Sequence, residues 1–345
     1  MHGRLRRLVR IALVVLAIAG IAQLLGWDVR DWLSNLWDVL TEISVGAIIA
    51  GVALTTLQTL ATGYAWYGIL RAAYGDPAVR LSQVLACYAT AVALNGFVPA
   101  NLGTLVCLVM FTAVIPGASF SGILGGYAVQ KIFFTIAGAF VYVYLFLTLD
   151  GIADLEFGWI RDNPGWAIAI GAGIAVLVST VLGVLRAKLA TFWQNAKDGA
   201  RVLTQPRMYL RRVVLPSFVG WAASLCVVAV FLTAYSIPVS FRVVMQVVGG
   251  NSIANVVSVT PGGVGVNQAA NVASLKSVTD PTTATAYSVA QQLVTTAWNL
   301  LFAVVLVTAV FGWSGGKTLV GDSYADAKRQ VDARKTAKTA GARSS

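Results

Sequence analysis

Side chains that could perform acid–base or metal chemistry are scarce in this sequence. The only histidine is His2, and the three cysteines lie inside apolar stretches without the spacing of metal ligands. General acids and bases are usually histidines or carboxylates held near the reacting atoms. No long apolar stretch here contains an aspartate or a glutamate. We therefore expect no catalytic residue, no metal and no cofactor, and we predict that the chain is not an enzyme.

Lys131 is the side chain whose position most needs a ligand. It lies some ten residues into the apolar stretch 120–149, which is about 15 Å deep at 1.5 Å per residue. An unpaired cation at the centre of a bilayer costs about 2.5–3.5 kcal/mol on insertion scales. Because the apolar stretches hold no carboxylate, an anionic ligand such as a lipid phosphate is the expected partner. The alternative is that the lysine reaches a backbone carbonyl or a thinned bilayer.

Two apolar stretches, residues 81–115 and 241–277, are each interrupted by proline and glycine. A break frees backbone amides and carbonyls, which is costly unless it lines a cavity or is buried in protein. Two breaks in corresponding places are typical of a transporter's binding site. For each neighbouring amide alone, tying helices together is an equal alternative. The candidate ligand-binding residues besides Lys131 are Asn95, Pro99, Asn101 and Gly103 in the first break, Pro261, Gly262, Gly263, Gly265, Asn267 and Gln268 in the second, and Gln130, Gln291 and Gln292 in the long stretches that follow.

The two broken stretches predict an internal repeat. A shift of 162 residues places Pro99 on Pro261 and Gly103 on Gly265, and it also aligns Gln130 with Gln292. Three full spans separate the breaks, and an odd number requires the second hairpin to enter from the opposite face. We therefore predict an inverted repeat of residues 81–149 and 241–313, with both hairpin tips near the midplane. The alternative is that each break is a kink in one long helix.

Composition places the chain in the membrane class. It is 57% hydrophobic and only 11% charged, against roughly 25% charged in soluble domains. Backbone groups in lipid must be satisfied internally, and the stretches are too long for barrel strands, so we predict an all-α polytopic membrane protein. Residues 1–313 form one membrane domain, and the basic tail 314–345 is predicted to be disordered. The six predicted full spans are residues 8–25, 45–70, 120–149, 166–185, 213–235 and 284–313.

The net charge of +11 reflects topology and not nucleic-acid binding. Twenty of the 25 basic residues lie in the N-terminus, the 71–80 and 186–212 loops and the tail. Cytoplasmic segments of membrane proteins carry such an excess of lysine and arginine. We therefore predict that both termini are cytoplasmic and that nucleic acid is not a partner.

The second break carries a resemblance to a known family. Residues 261–270 read Pro-Gly-Gly-Val-Gly-Val-Asn-Gln-Ala-Ala, which resembles the membrane region of lysylphosphatidylglycerol synthases and of stand-alone bacterial flippase-like proteins. The family's usual pattern is Pro-Gly-Gly-Leu-Gly, a variable or basic residue, a glutamate and small residues. An earlier Pro-x-x-Leu-Gly element is similar to residues 99–103. The resemblance covers about residues 8–313.

The resemblance implies a domain that moves lipid between leaflets, which in the fused proteins is aminoacylated phosphatidylglycerol. Here Gln268 matches the family's glutamate, Asn267 matches its basic residue, and Gln291 or Gln292 matches an arginine of the last span. Lys131 keeps the basic character of the first element. Loss of the carboxylate puts recognition of a cationic aminoacyl group in doubt.

We therefore expect a flippase or scramblase of an anionic lipid or lipid-linked sugar in the bacterial plasma membrane. The expected partner is a phospholipid or a polyprenyl-phosphate-linked lipid. Whether the chain also forms a homo-oligomer is left open. One alternative is a non-transporting scaffold for a cell-envelope glycosyltransferase. Another is a polyprenyl-phosphate-dependent membrane transferase, for which the spans offer no carboxylate or histidine.

Overall fold

The structure is a computed structural model that describes residues 43–76, 78–98, 102–148, 201–257, 260 and 263–341. Every regular element in these ranges is helical, which confirms the predicted all-α class. The predicted spans 8–25 and 166–185 lie outside the described residues. The helices are α1 (Val45–Tyr74), α2 (Leu81–Asn95), α3 (Leu102–Val114), α4 (Phe120–Thr148), α5 (Pro206–Ala234, with a π-helical turn over Leu210–Val214), α6 (Phe241–Val257), α7 (Val266–Leu275), α8 (Pro281–Phe311) and α9 (Trp313–Gly341).

Four described helices, α1, α4, α5 and α8, are long and apolar enough to cross a membrane. They coincide with four of the six predicted full spans. Helix α1 has 30 residues and α8 has 31, more than the roughly 20 residues that a bilayer core requires. None of these four contains an aspartate or a glutamate. The predicted membrane class is therefore confirmed for the described part of the chain.

Each predicted break separates two short helices that pack side by side. Helices α2 and α3 have 15 and 13 residues, about 22 and 20 Å at 1.5 Å per residue. Helices α6 and α7 have 17 and 10 residues. In the first pair, Val84 of α2 and Met110 of α3 belong to one buried cluster. The chain thus reverses at each break and forms hairpin one (α2–α3) and hairpin two (α6–α7).

Each long helix packs on the first helix of the other hairpin. Helix α4, which follows hairpin one, contacts α6 of hairpin two, where the Tyr142 hydroxyl donates to the Gly249 carbonyl at 3.3 Å. Helix α8, which follows hairpin two, contacts α2 of hairpin one, where Ala89 and Ala93 form a buried cluster with Ala303. The packing is reciprocal, and the inverted repeat itself stays a prediction.

Helices α1 and α5 pack closely along a face of small residues. Gly51 lies against the Phe231 ring, and a Cβ built at Gly68 would meet the Arg212 carbonyl oxygen at 2.7 Å. Small residues let helix backbones approach in membranes, where dispersion contacts replace the hydrophobic effect. This pair contacts both hairpins, since α1 packs on α2 of hairpin one and α5 packs on α6 of hairpin two.

The tail differs from the prediction. Instead of disorder, helix α9 continues to Gly341, and its first half packs on α3. Ser323 and Ala327 are buried there, and Leu319, Val320 and Tyr324 pack on the same cluster as hairpin one. The physical reason is that apolar residues recur on one face of an otherwise polar helix, which gains stability from tertiary packing.

Candidate functional site

A cavity of about 250 Å³ lies beside the first break, between hairpin one, α1 and α4. It contains an amide from α2, a hydroxyl from α3 and a cation from α4, set among aromatic rings. We call it the lysine cavity. Its lining residues are Trp66, Tyr88, Ala91, Val92, Asn95, Thr104, Cys107, Leu108, Tyr127, Gln130, Lys131 and Phe134.

Lys131 is the cation of this cavity. It is the twelfth residue of α4, about 16 Å from the start of the helix. Its Nζ lies 5.1 Å from the centre of the Tyr127 ring, a distance at which the negative face of the ring attracts a cation. The ion pairs found in the described ranges, Arg71–Asp76 and Arg329–Asp326, lie elsewhere. Lys131 lines the cavity and is also exposed, so the cavity opens at the protein surface beside it.

Asn95 and Gly103 shape the first break. Asn95 ends α2 and donates from Nδ2 to the Thr104 hydroxyl in the first turn of α3, at 3.2 Å. Its Oδ1 is buried without a hydrogen-bond partner among the described residues. A Cβ at Gly103 would lie 2.5 Å from the Ala91 carbonyl oxygen and 2.6 Å from Asn95 Oδ1. The two helices therefore touch at a glycine, and Asn95, which lines the cavity, keeps an unpaired acceptor at this contact.

Hydrogen bonds organise the second break. Gly263 and Gly265 have φ of 72° and 87°, a region that side-chain-bearing residues rarely adopt. The Thr260 hydroxyl donates to the Val264 carbonyl at 2.9 Å. The Gly265 amide donates to Gln268 Oε1 at 2.6 Å, so Gln268 covers the amino end of its own helix. The Asn267 side chain lies over Gly263.

Two side-chain amides then tie hairpin two to α8. Gln268 Nε2 donates to Gln292 Oε1 at 2.7 Å, which identifies Gln292 rather than Gln291 as the neighbour of Gln268. One turn further, the buried Asn271 donates to the Ser288 hydroxyl at 2.7 Å. The buried Asn271 was not among the sequence predictions. Its place in a polar residue pair across helices is visible only in three dimensions.

A second cavity, of about 410 Å³, lies between α1, α2, α5, α6 and α8. Its polar lining consists of amides and hydroxyls, so we call it the amide cavity. Gln291 is the one sequence-predicted site residue in it, and Tyr88 and Val92 line both cavities. The other polar lining residues, which sequence reasoning missed, are Thr55, Gln58, Thr59, Ser224, Asn251, Ser252, Asn255, Thr295 and Asn299.

The predicted residues thus divide into groups instead of forming one site. Lys131, Gln130 and Asn95 line the lysine cavity, with Gly103 at its back. Gly265, Gln268 and Gln292 form a hydrogen-bonded group that connects hairpin two to α8. Four predicted residues, Pro99, Asn101, Pro261 and Gly262, lie outside the described residues.

Comparison with known proteins agrees with this architecture. The family model described as the lysylphosphatidylglycerol synthase TM region matches residues 9–314, which is most of the chain and all of the helices that build the two cavities. A comparison with curated proteins finds no match.

Proposed function

We propose, from the premise that the chain belongs to the lysylphosphatidylglycerol synthase membrane-region family, that it moves an anionic lipid between the two leaflets. Membership of this family supports a membrane protein that acts in lipid-related processes. Flippase or scramblase activity and the bound head group are the proposal. The observation that carries it is Lys131, a cation that lies deep in α4, lines a cavity, and has no carboxylate in the spans to neutralise it.

The lysine cavity suits a phosphate. Lys131 supplies charge, while the Asn95 and Gln130 amides and the Thr104 hydroxyl supply neutral hydrogen-bonding groups. Thr104 is in the first turn of α3, so the positive end of the α3 dipole lies at the cavity wall, where anions are stabilised. A lipid phosphate there would offset the cost of holding an ammonium in the membrane.

The packing of the helices supports alternating access. Since α4 packs on α6 and α8 packs on α2, a movement of either hairpin carries the long helix of the other repeat with it. Transporters with inverted repeats open a midplane site to each side in turn by rocking one repeat or bundle against the other. We therefore extend the proposal to an inverted repeat in which the hairpins rock around the lysine cavity.

The test is lipid exchange between leaflets in proteoliposomes with a fluorescent phosphatidic acid. A hydrogen bond to a charged group contributes about 1.5–3 kcal/mol, so Lys131→Gln should slow exchange by about tenfold or more. Lys131→Arg should retain most of the rate, because the charge remains. Lys276→Gln is the matched control, since Lys276 follows α7 and does not line the lysine cavity.

Equal exchange by wild type and Lys131→Gln would refute the proposed role of Lys131. A folded protein without any exchange would instead favour a membrane scaffold. Helix α9 gives that function a structural basis, because one face packs on α3 while Lys328 and Arg329 remain exposed. Affinity capture of a cell-envelope enzyme that is lost on truncation after Phe311 would then be expected.

A further inference from the structure

The amide cavity contains polar groups that have no hydrogen-bond partner in the part of the chain that the structure describes. Thr55 is 4% exposed, and its hydroxyl has no hydrogen-bond partner among the described residues. Asn251 Oδ1 is likewise buried without a partner. Both residues line the cavity, Thr55 from α1 and Asn251 from α6. Buried polar atoms are normally hydrogen-bonded, so two unpaired atoms on residues of one cavity point to a ligand there.

The chemical groups of the lining indicate which kind of ligand fits the amide cavity. The polar side chains that the described residues contribute to the lining are all hydroxyls or carboxamides, which both donate and accept hydrogen bonds, and none of them carries a charge. A phosphate would find no cation there, and an ammonium would find no carboxylate. A neutral group with several hydroxyls can instead satisfy donors and acceptors on every wall. The cavity therefore fits a sugar, an inositol or a glycerol.

The amide cavity adjoins the lysine cavity. Tyr88 and Val92, one turn apart on α2, line both. A ligand that extends past these two side chains would have one end near Lys131 and the other between Thr55 and Asn251. That order matches a lipid head group in which a phosphate precedes a neutral polyol.

We propose that the amide cavity binds the neutral, polyhydroxylated part of a lipid head group whose phosphate lies at Lys131. The inference rests on the proposed function for the phosphate, while the polyol site stands on the amide cavity alone. It names the substrate class as lipids with a phosphate-linked polyol, and it disfavours lipids with a cationic head group.

The experiment measures binding of three lipids with identical chains to the purified full chain in nanodiscs. Phosphatidic acid probes the lysine cavity, a monohexosyl diacylglycerol probes the amide cavity, and phosphatidylinositol probes both. The variants are Thr55→Val with Asn251→Leu for the amide cavity and Lys131→Gln for the lysine cavity. The matched control is Thr233→Val, because Thr233 is exposed and its hydroxyl bonds only the Ala229 carbonyl of its own helix.

We expect phosphatidylinositol to bind about tenfold more tightly than phosphatidic acid, which corresponds to about 1.4 kcal/mol. The double variant should bring the two lipids to equal affinity without changing that for phosphatidic acid. It should also abolish binding of the hexosyl lipid, which Lys131→Gln should leave intact. Thr233→Val should behave as wild type in every arm.

Two results would overturn the inference while sparing the proposed function. One is equal binding of phosphatidylinositol and phosphatidic acid by wild type, with exchange still dependent on Lys131. The other is hexosyl-lipid binding that survives the double variant. Conversely, hexosyl-lipid binding that needs Thr55 and Asn251, without any effect of Lys131→Gln on phosphatidic acid, would support the polyol site and refute the phosphate site.

Discussion

The two hairpin breaks occupy corresponding places in the chain, yet they are built by different means. In the first, α2 and α3 meet at Gly103, and a cavity with Lys131 opens beside the break. In the second, Gln268 accepts a hydrogen bond from the Gly265 amide and donates one to Gln292. The first break thus leaves polar groups available, whereas the second uses its polar side chains internally.

The polar side chains near the two breaks have different roles, proposed ligand binding near the first and structural support near the second. Gln130 and Gln292 align under the 162-residue shift, but Gln130 lines the lysine cavity while Gln292 binds Gln268. A break that binds a lipid must leave hydrogen-bonding groups for the ligand, whereas a break that only turns the chain gains from having these groups satisfied. The anionic ligand is therefore expected at hairpin one.

The largest expected effect comes from substituting the two aligned glycines, Gly103 and Gly265. In Gly103→Ala, the new Cβ would meet the Ala91 carbonyl and Asn95, neither of which moves cheaply. We expect a loss of about 1–3 kcal/mol of stability together with loss of lipid exchange, because the α2–α3 contact forms the back of the lysine cavity. Thermal unfolding in detergent and the exchange assay measure the two effects.

Gly265→Ala is the paired variant. Its Cβ would meet nothing within 4 Å, but the residue has φ of 87°, so strain of about 1–3 kcal/mol is expected while the folded protein still exchanges lipid. Gly138→Ala in α4 is the control, since it has open space around it and gains about 0.5–1 kcal/mol of helix propensity. Full exchange by folded Gly103→Ala would contradict the assignment of the ligand to hairpin one.

A smaller effect is expected from the Gln268–Gln292 hydrogen bond. Replacing either glutamine by methionine leaves the other amide without this partner. Each substitution should lower the free energy of unfolding by about 1–2 kcal/mol. Replacing both should cost less than the sum, with a coupling of about 0.6–1.7 kcal/mol, as measured between membrane helices. Thermal unfolding of wild type, the two single variants and the double variant gives the coupling. If the two single losses of stability add up to that of the double variant, the bond does not stabilise hairpin two.

Sequence reasoning singled out Lys131 because its signal is chemical. Lys131 is costly in lipid because it lies deep in α4, and the first break was visible from its proline and glycine residues. Asn95 was a candidate because it lies in the first break and Gln130 because it lies in the following long stretch beside Lys131, and the structure places all three on one cavity. The four long described helices followed equally directly from their apolar length.

The amide cavity could not be found in this way. Thr55 and Asn251 are separated by nearly two hundred residues, and single polar residues in apolar helices are common as interhelical contacts. Helix α9 is a different case, because a signal existed. Leu319, Val320, Tyr324 and Ala327 lie on one face of a helix, and this pattern was outweighed by the high content of lysine, arginine and alanine around it.

The smallest expected effect concerns the residues that begin the long helices after each hairpin. The Ser119 hydroxyl accepts from the Gly122 amide at the start of α4, whereas the Asp280 carboxylate accepts from the Thr282 and Thr283 amides at the start of α8. Replacing either by alanine should cost about 0.5–2 kcal/mol. Only the aspartate should make this contribution depend on pH.

The sign follows from the hydrogen bonds at Asp280. Bonds from the Thr283 hydroxyl and amide lower the pKa of this carboxyl below its ordinary value. Its stabilising contribution is therefore complete above the ordinary pKa of about 3.9 and is lost as pH falls through the lowered value in the folded state. Between pH 5 and pH 3, the melting temperature of wild type should fall slightly more than that of Asp280→Asn, while Ser119→Ala should follow wild type. Identical pH profiles of wild type and Asp280→Asn would mean that the cap of α8 is as insensitive to charge as that of α4, and this difference between the two halves would disappear.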